Sequence, residues 1–337
     1  MRRILITGSA GFIGFHLARQ LLDEGFVVHG FDGMTDYYEV SLKERRHAIL
    51  GENPNFTSTI GMMQDADLLR ESVMAFRPDV IVHLAAQAGV RYSLQNPRAY
   101  VDTNITGTFN LLECAREQNV QHFLMASTSS VYGGNTQMPF RETDKADLPL
   151  TIYAATKKAS EAMGHTYAHL WNLPVTMFRF FTVYGPWGRP DMAFFKFTRA
   201  ILEGRPIDIY NNGVMYRDFT YVDDIVRGIR LLIDVPPRRP AEGEAVPEGD
   251  SLSPVAPYRV VNIGNADKVK LLDFVEAIET SLGKKALKNF MPMQPGDVVT
   301  TWADISLLQK LTGFRPVTDY HQGVAKFVQW YRDYYKC

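Results

Sequence analysis

The run Tyr153-Ala154-Ala155-Thr156-Lys157 sets a phenol and an ammonium four residues apart. On a helix both would share one face, and the cation would favour phenolate, making Tyr153 a base able to take a hydroxyl proton near neutral pH. The same spacing also arises as a plain surface pair on a helix, so it needs support from elsewhere. Ser127-Thr128-Ser129-Ser130 gives it, because these hydroxyls follow an apolar run, and hydroxyls at the carboxyl end of a parallel strand open on the crevice where ligands bind.

A third element is Thr7-Gly8-Ser9-Ala10-Gly11-Phe12-Ile13-Gly14, directly after the apolar run Ile4-Leu5-Ile6. Glycines there permit a tight turn, let the backbone approach a pyrophosphate and let the next helix pack closely, while the helix start presents amide donors. Gly8, Gly11, Phe12, Ile13 and Gly14 are therefore the expected dinucleotide contacts. Asp32 ends the next apolar run and is followed by Gly33 rather than Arg. It is placed to accept from ribose hydroxyls and to repel a 2′-phosphate, which favours NAD over NADP; the other reading makes it a turn residue.

These groups need a parallel sheet to bring them together. The first 180 residues alternate short β-rich runs with longer helical periods, and the strands are read as Arg3 to Thr7, Val27 to Asp32, Asp79 to Ala86, His122 to Ser127 and Pro174 to Phe181. Val101, Ile105, Phe109 and Leu112 give an apolar stripe to a helix from about Pro97 to Gln118, and a second helix runs from Tyr153 to Trp171. The expected class is α/β, a Rossmann-type doubly wound sheet with a smaller C-terminal α/β domain. The expected division gives residues 1–180 to NAD, with a return segment at about 220–263, and residues 181–219 and 264–337 to substrate. Asp234 to Pro257, rich in Pro, Gly, Glu and Ser, reads as a surface loop, partly disordered. Val324, Phe327, Val328 and Tyr331 read as the packed face of a terminal helix.

In this order the glycine turn, Thr128 and Tyr153-x-x-x-Lys157 resemble the extended short-chain dehydrogenase/reductase superfamily along nearly the whole chain. The resemblance implies that Thr128 polarises the reacting hydroxyl, that Tyr153 exchanges its proton, and that Lys157 holds the nicotinamide ribose and tunes Tyr153. It implies cofactor contacts at Ala85, Ala86, Gln87 and Phe180. Asn104 is implied to steady the catalytic helix, with a purely structural hydrogen bond as its alternative. Dehydratases and decarboxylases of the superfamily carry an acidic residue after the Thr; Ser129-Ser130 stands here, which leaves hydride removal and return at one carbon, an epimerisation.

Gln87-Ala88-Gly89-Val90-Arg91-Tyr92-Ser93 and the segment from Arg179 to Met192 resemble UDP-glucuronate 4-epimerases more than UDP-galactose 4-epimerases. Arg91 and Arg189 are then cations on crevice loops, with a surface or structural role as the alternative for each, and Ser129, Ser130 and Thr182 offer small donors to a sugar carboxylate. Arg217 is implied to grip the UDP pyrophosphate and Asp297 to suit a ribose hydroxyl. Asp223-Asp224 are read as helix caps. Two departures stand out: Gln294 where galactose-type relatives have Arg, leaving a cation short unless Arg189 substitutes, and Gly61-Met62-Met63 where relatives often carry Asp. The alternatives are another nucleotide-sugar epimerase, such as a UDP-glucose/galactose 4-epimerase, and a non-catalytic NAD-binding sensor.

The balance of 36 basic and 37 acidic residues gives no global field for nucleic acid or a membrane surface. No apolar run reaches the roughly 18 residues of a membrane span, and two cysteines, Cys114 and Cys337, support neither a disulfide framework nor a cysteine-rich metal site. A reducing cytoplasm is expected, with no metal, and pairing of the two long helices with a second copy would give a homodimer.

Overall fold

In the computed structural model, which describes residues 1–294 and 296–337, the apolar runs become seven parallel strands. They are β1 (Arg3–Thr7), β2 (Val27–Asp32), β3 (Phe56–Ile60), β4 (Val80–His83), β5 (His122–Thr128), β6 (Val175–Phe180) and β7 (Tyr258–Ile263). Their order is β7-β6-β5-β4-β1-β2-β3. Successive side chains take opposite faces: Ile4 and Ile6 join Phe15, Leu17 and Leu21 on one side, while Leu5 joins Phe31, Leu111 and Phe123 on the other. The order turns back between β1 and β4, and the carboxyl ends of these two strands open the crevice expected at such a point.

Two strands go beyond the five read from sequence. In Phe-Thr-Ser-Thr-Ile of β3 only Phe56 is buried, as an edge strand allows, and its polar residues hide the period. Strand β7 lies in the return segment. The strand expected from Asp79 to Ala86 ends at His83, which frees Leu84 to Gln87 to wall the crevice.

The segment from Pro97 to Gln118 is helical but not uniform. Pro97–Tyr100 and Thr108–Gln118 are α-helical, and Val101–Gly107 between them is a π-helical stretch. Its apolar stripe is not core: Val101 and Phe109 are exposed, and Leu112 alone of the four is fully enclosed. The helix Ile152–Trp171 starts at Thr151, whose side chain accepts from the Ala154 amide. Asp234 to Pro257 has no helix or strand, yet Arg259 to Asp250 at 2.9 Å and His165 to Ser253 at 2.9 Å fix it against β7 and the Ile152–Trp171 helix.

The helix Val222–Ile233 packs beside the glycine-turn helix Phe12–Asp23, where Ile225, Val226 and Ile229 meet Phe12 and Phe15. Asp223 and Asp224 do not cap it. Tyr221 holds the cap position without a side-chain bond, and Asp224 instead accepts from the Thr318 amide at 3.0 Å. A separate apolar cluster joins Phe194, Phe195, Phe274, Ile278, Phe327 and Tyr331, with the terminal helix Tyr320–Tyr335 burying Val324, Phe327, Val328 and Tyr331 as its spacing predicts. Three small sheets accompany it, one ordering Val269–Lys270, Tyr216–Arg217 and Thr300–Thr301. Leu307 and Leu308 return to the large sheet's cluster, a crossing that the division at residue 264 does not anticipate. Among the described residues no helix is long and apolar enough to cross a membrane, and no group of His, Cys, Asp or Glu could hold a metal.

Candidate active site

The glycine turn is tightly closed. Gly8 has φ +76°, and a Cβ on Gly14 would sit 2.1 Å from the Gly8 carbonyl, so neither position admits a side chain. Gly11 caps the following helix without a side-chain bond, which leaves the first amides of that helix for a ligand. Asp32 holds the turn and also faces the cavity. One carboxylate oxygen accepts from the Met34 amide and the other from the Ala10 amide, each at 2.9 Å, while the side chain also lines the crevice. The fully buried Arg46 ties this turn to a distant loop, donating to the carbonyls of Ala10 at 2.9 Å and Trp187 at 2.5 Å.

A cavity of about 260 Å³ runs from this turn to the carboxyl ends of the central strands. Gly8, Gly11, Phe12, Ile13, Gly14, Asp32, Ala85, Ala86, Gln87, Tyr153, Lys157 and Phe180, all expected cofactor contacts, line it. Asn104 does not. From the π-helical stretch it grips Gln87 at both ends, accepting from the amide at 2.8 Å and donating to the carbonyl at 3.0 Å, and it reaches Thr156 at 3.1 Å. That is the structural alternative: Asn104 fixes the crevice wall against the helix bearing Tyr153. The Met62 and Met63 departure lines this cavity too. Tyr37 and Lys43, which the sequence analysis passes over, complete it near Asp32; both come from the segment after β2, which offers no motif by which to find them.

A second cavity, of about 780 Å³, adjoins the first and shares Thr128, Tyr153 and Arg189 with it. Ser129, Ser130, Thr182, Arg217 and Asp297 line it as expected. Arg91 does not line it. It stands at the rim, bonded to Asp297 at 3.1 Å and lying 4.3 Å from the Tyr210 ring centre. Arg189 is already engaged by Asp191, through Nε at 3.0 Å and Nη2 at 2.5 Å, and Tyr37 donates to the same carboxylate at 3.1 Å. It is therefore not the spare cation that the Gln294 departure would require. Of the segment Gln294-Pro295-Gly296-Asp297, Pro295 lies outside the described residues.

Where the cavities meet, burial shapes the reacting groups. It pushes the Tyr153 phenol above its ordinary value, against the pull of the Arg189 charge and of the Thr128 hydrogen bond. Burial brings Lys157 down to about 8, against the pull of Glu161. Glu161, one helical turn beyond Lys157, sits in a buried cluster that the sequence analysis misses, although spacing of 153, 157 and 161 announces it. It accepts from Ser127 at 2.7 Å and from Arg179 at 2.9 Å through each oxygen. Burial alone would raise its carboxyl, but the Arg179 bonds and charge hold it below the usual range. The arrangement can take a proton from a hydroxyl next to a bound dinucleotide.

Residues 4–246 match the model of the NAD dependent epimerase/dehydratase family. A probable UDP-glucuronate 4-epimerase of Rhizobium meliloti is 56% identical over 99% of this chain and 98% of its own, and Protein CapI of Staphylococcus aureus is 54% identical over 99% of each. The crystal structure of a UDP-glucuronic acid 4-epimerase from Bacillus cereus, in complex with UDP-glucuronic acid and NAD, superposes with a TM-score of 0.87 at 33% identity, covering 99% of this chain and 100% of that one. A family match that takes in the glycine turn, Thr128, Tyr153 and Lys157, with relatives alike from end to end, settles the point: this chain belongs to the NAD dependent epimerase/dehydratase family.

Proposed function

We propose that the chain inverts C4 of UDP-glucuronate, forming UDP-galacturonate through a transient 4-keto sugar. The observation that carries this reading is the meeting of two cavities at Thr128 and Tyr153, with Ser129 and Ser130 beside them rather than a carboxylic acid. Bound NAD supplies the acceptor, and then the donor, of the C4 hydride. Gly8, Gly11, Phe12, Ile13 and Gly14 receive its pyrophosphate, Asp32 its adenosine ribose, and Ala85, Ala86, Gln87 and Phe180 its passage along the sheet; Asn104 holds that wall in place.

Thr128 orients the C4 hydroxyl, Tyr153 takes and returns its proton, and Lys157 binds the nicotinamide ribose and stabilises phenolate. Ser129, Ser130 and Thr182 hold the C6 carboxylate. A 4-keto sugar with this carboxylate loses carbon dioxide when the C5–C6 bond stands perpendicular to the carbonyl plane, so donors that fix another orientation protect it. Arg217 and Asp297 take the UDP end, with Arg91 closing the rim and Arg189 at the junction. Residues 1–180 and about 220–263 then form the cofactor domain, and 181–219 with 264–337 the substrate domain. The enzyme works as a homodimer through the exposed faces of the Pro97–Gln118 and Ile152–Trp171 segments. A reducing cytoplasm suits its two free cysteines, Cys114 and Cys337.

The test is incubation of the NAD-loaded protein with UDP-glucuronate, following product by NMR and NADH by absorbance. The C4 epimer should form without net NADH, and UDP-glucose should react far more slowly, because a carboxylate site without its anion keeps unpaired donors. Stoichiometric NADH, release of a UDP-pentose, or equal kcat/KM for the two sugars would overturn the assignment.

A further inference from the structure

Four charged side chains line the larger cavity: Arg189, Arg217, Lys268 and Asp297. Two of them are spoken for. Asp191 neutralises Arg189 at 2.5 Å, and Arg91 neutralises Asp297 at 3.1 Å. Among the described residues, neither Arg217 nor Lys268 has a carboxylate within salt-bridge distance; the Arg217 guanidinium donates to the carbonyls of Tyr216 at 2.9 Å and Val299 at 3.1 Å. The cavity thus keeps two positive charges without an ion-pair partner, Asp297 reaching Arg217 only at longer range, a match for the two negative charges of a diphosphate diester.

Lys268 is also held in position. Its ammonium lies 4.8 Å from the ring centre of Tyr216 and 5.3 Å from that of Trp302, which restrains a long side chain that would otherwise sweep through solvent. The backbone fixes where it starts: Lys268 immediately precedes the strand Val269–Lys270, which pairs antiparallel with Tyr216–Arg217, so the two cations enter the one cavity from neighbouring stretches of chain.

We propose that Lys268 is the second diphosphate-binding cation of this site, acting with Arg217 on the two phosphates of a nucleoside diphosphate. This rests on reading the larger cavity as the seat of a nucleotide-linked sugar, and it concerns the phosphates alone, independent of which sugar they carry. The ammonium is a point charge with rotatable donors. Lys268 can therefore follow either phosphate, whereas Arg217, anchored on two carbonyls, sets the register.

The experiment titrates UDP, without any sugar, into the NAD-loaded full chain at low and at high ionic strength. Lys268→Gln should weaken UDP by about tenfold at low salt, the scale of one charge-assisted contact, with a smaller loss at high salt as screening removes the same term. Lys268→Arg, which keeps the charge, should lose less UDP affinity than Lys268→Gln at low salt. An unchanged UDP affinity in Lys268→Gln, or a loss of the same size at every ionic strength, would overturn the assignment, the second outcome marking Lys268 as a packing residue of Tyr216 and Trp302. UDP binding that depends on Lys268 in a protein inert toward UDP-glucuronate would leave this inference standing while defeating the proposed reaction.

Discussion

Burial works against Tyr153 and Lys157 as a proton-transfer pair, since it lifts the phenol and lowers the ammonium. The pair is useful only while the ammonium keeps its charge. Lys157, at about 8, is protonated below that pH and neutral above it, so kcat should fall as pH rises through about 8 when phenolate support depends on it. Stability moves the other way. A folded value below the ordinary 10.5 means that the unfolded chain binds this proton more tightly; the fold therefore gains stability from Lys157 between about pH 8 and 10.5. Parallel pH series of turnover and of urea unfolding check both signs, and a kcat that is flat across that window removes the Lys157 charge from the mechanism. Tyr153→Phe should fold and bind NAD yet lose about 100-fold or more in turnover, the usual share of general acid–base catalysis; near-parental rates would take the phenol out of the reaction.

At the scale of the element, the Ile152–Trp171 helix displays Tyr153, Lys157 and Glu161 at four-residue steps, so what anchors Glu161 also anchors the reacting groups. Removing it by Glu161→Ala strands Arg179 in the interior and should destabilise the fold by about 3–5 kcal/mol, read by denaturant titration. The same change removes the one charge that raises Lys157, so the alkaline fall in kcat should move to lower pH; an unmoved limb would show that Glu161 only packs the helix. Legibility from sequence follows chemistry here. The glycine turn and Tyr153-x-x-x-Lys157 are readable because each needs particular residue types at fixed spacing. Glu161 is readable only after the helix is accepted, and Tyr37 or Lys43 not at all, since each reaches the cavity from a segment without period. The stripe Val101, Ile105, Phe109 shows the converse: a helical period states that one face is apolar, not whether the chain itself covers that face.

For the whole molecule that uncovered stripe becomes a prediction about assembly. Val101 and Phe109 are exposed on one helix and Ile152 and Trp171 on the other, and two copies meeting there would bury both sets in a four-helix bundle. Light scattering should give twice the chain mass for the parent protein and the chain mass for Phe109→Asp; a monomeric parent would end the homodimer reading. The seven-stranded sheet is legible from five of its strands, because doubly buried strands are continuous apolar runs. The edge strand β3 escapes, as half-exposed edges carry polar residues, and the passage of Leu307 and Leu308 back to the large sheet escapes because it depends on where the chain has already gone.

Arg46 joins two regions that the chain otherwise keeps more than a hundred residues apart. One guanidinium holds the carbonyl of Ala10 in the glycine turn and that of Trp187, two residues before Arg189 at the junction of the cavities. Any shift of the turn on taking up a ligand would be felt through this one side chain, without any moving lid, at the loop beside the other cavity. Linkage makes such a connection symmetrical: by whatever factor the dinucleotide tightens the nucleotide sugar, the nucleotide sugar must tighten the dinucleotide. An enzyme that must recover its own hydride on each cycle would gain from such a bond, because a seated substrate would then help to keep the cofactor seated.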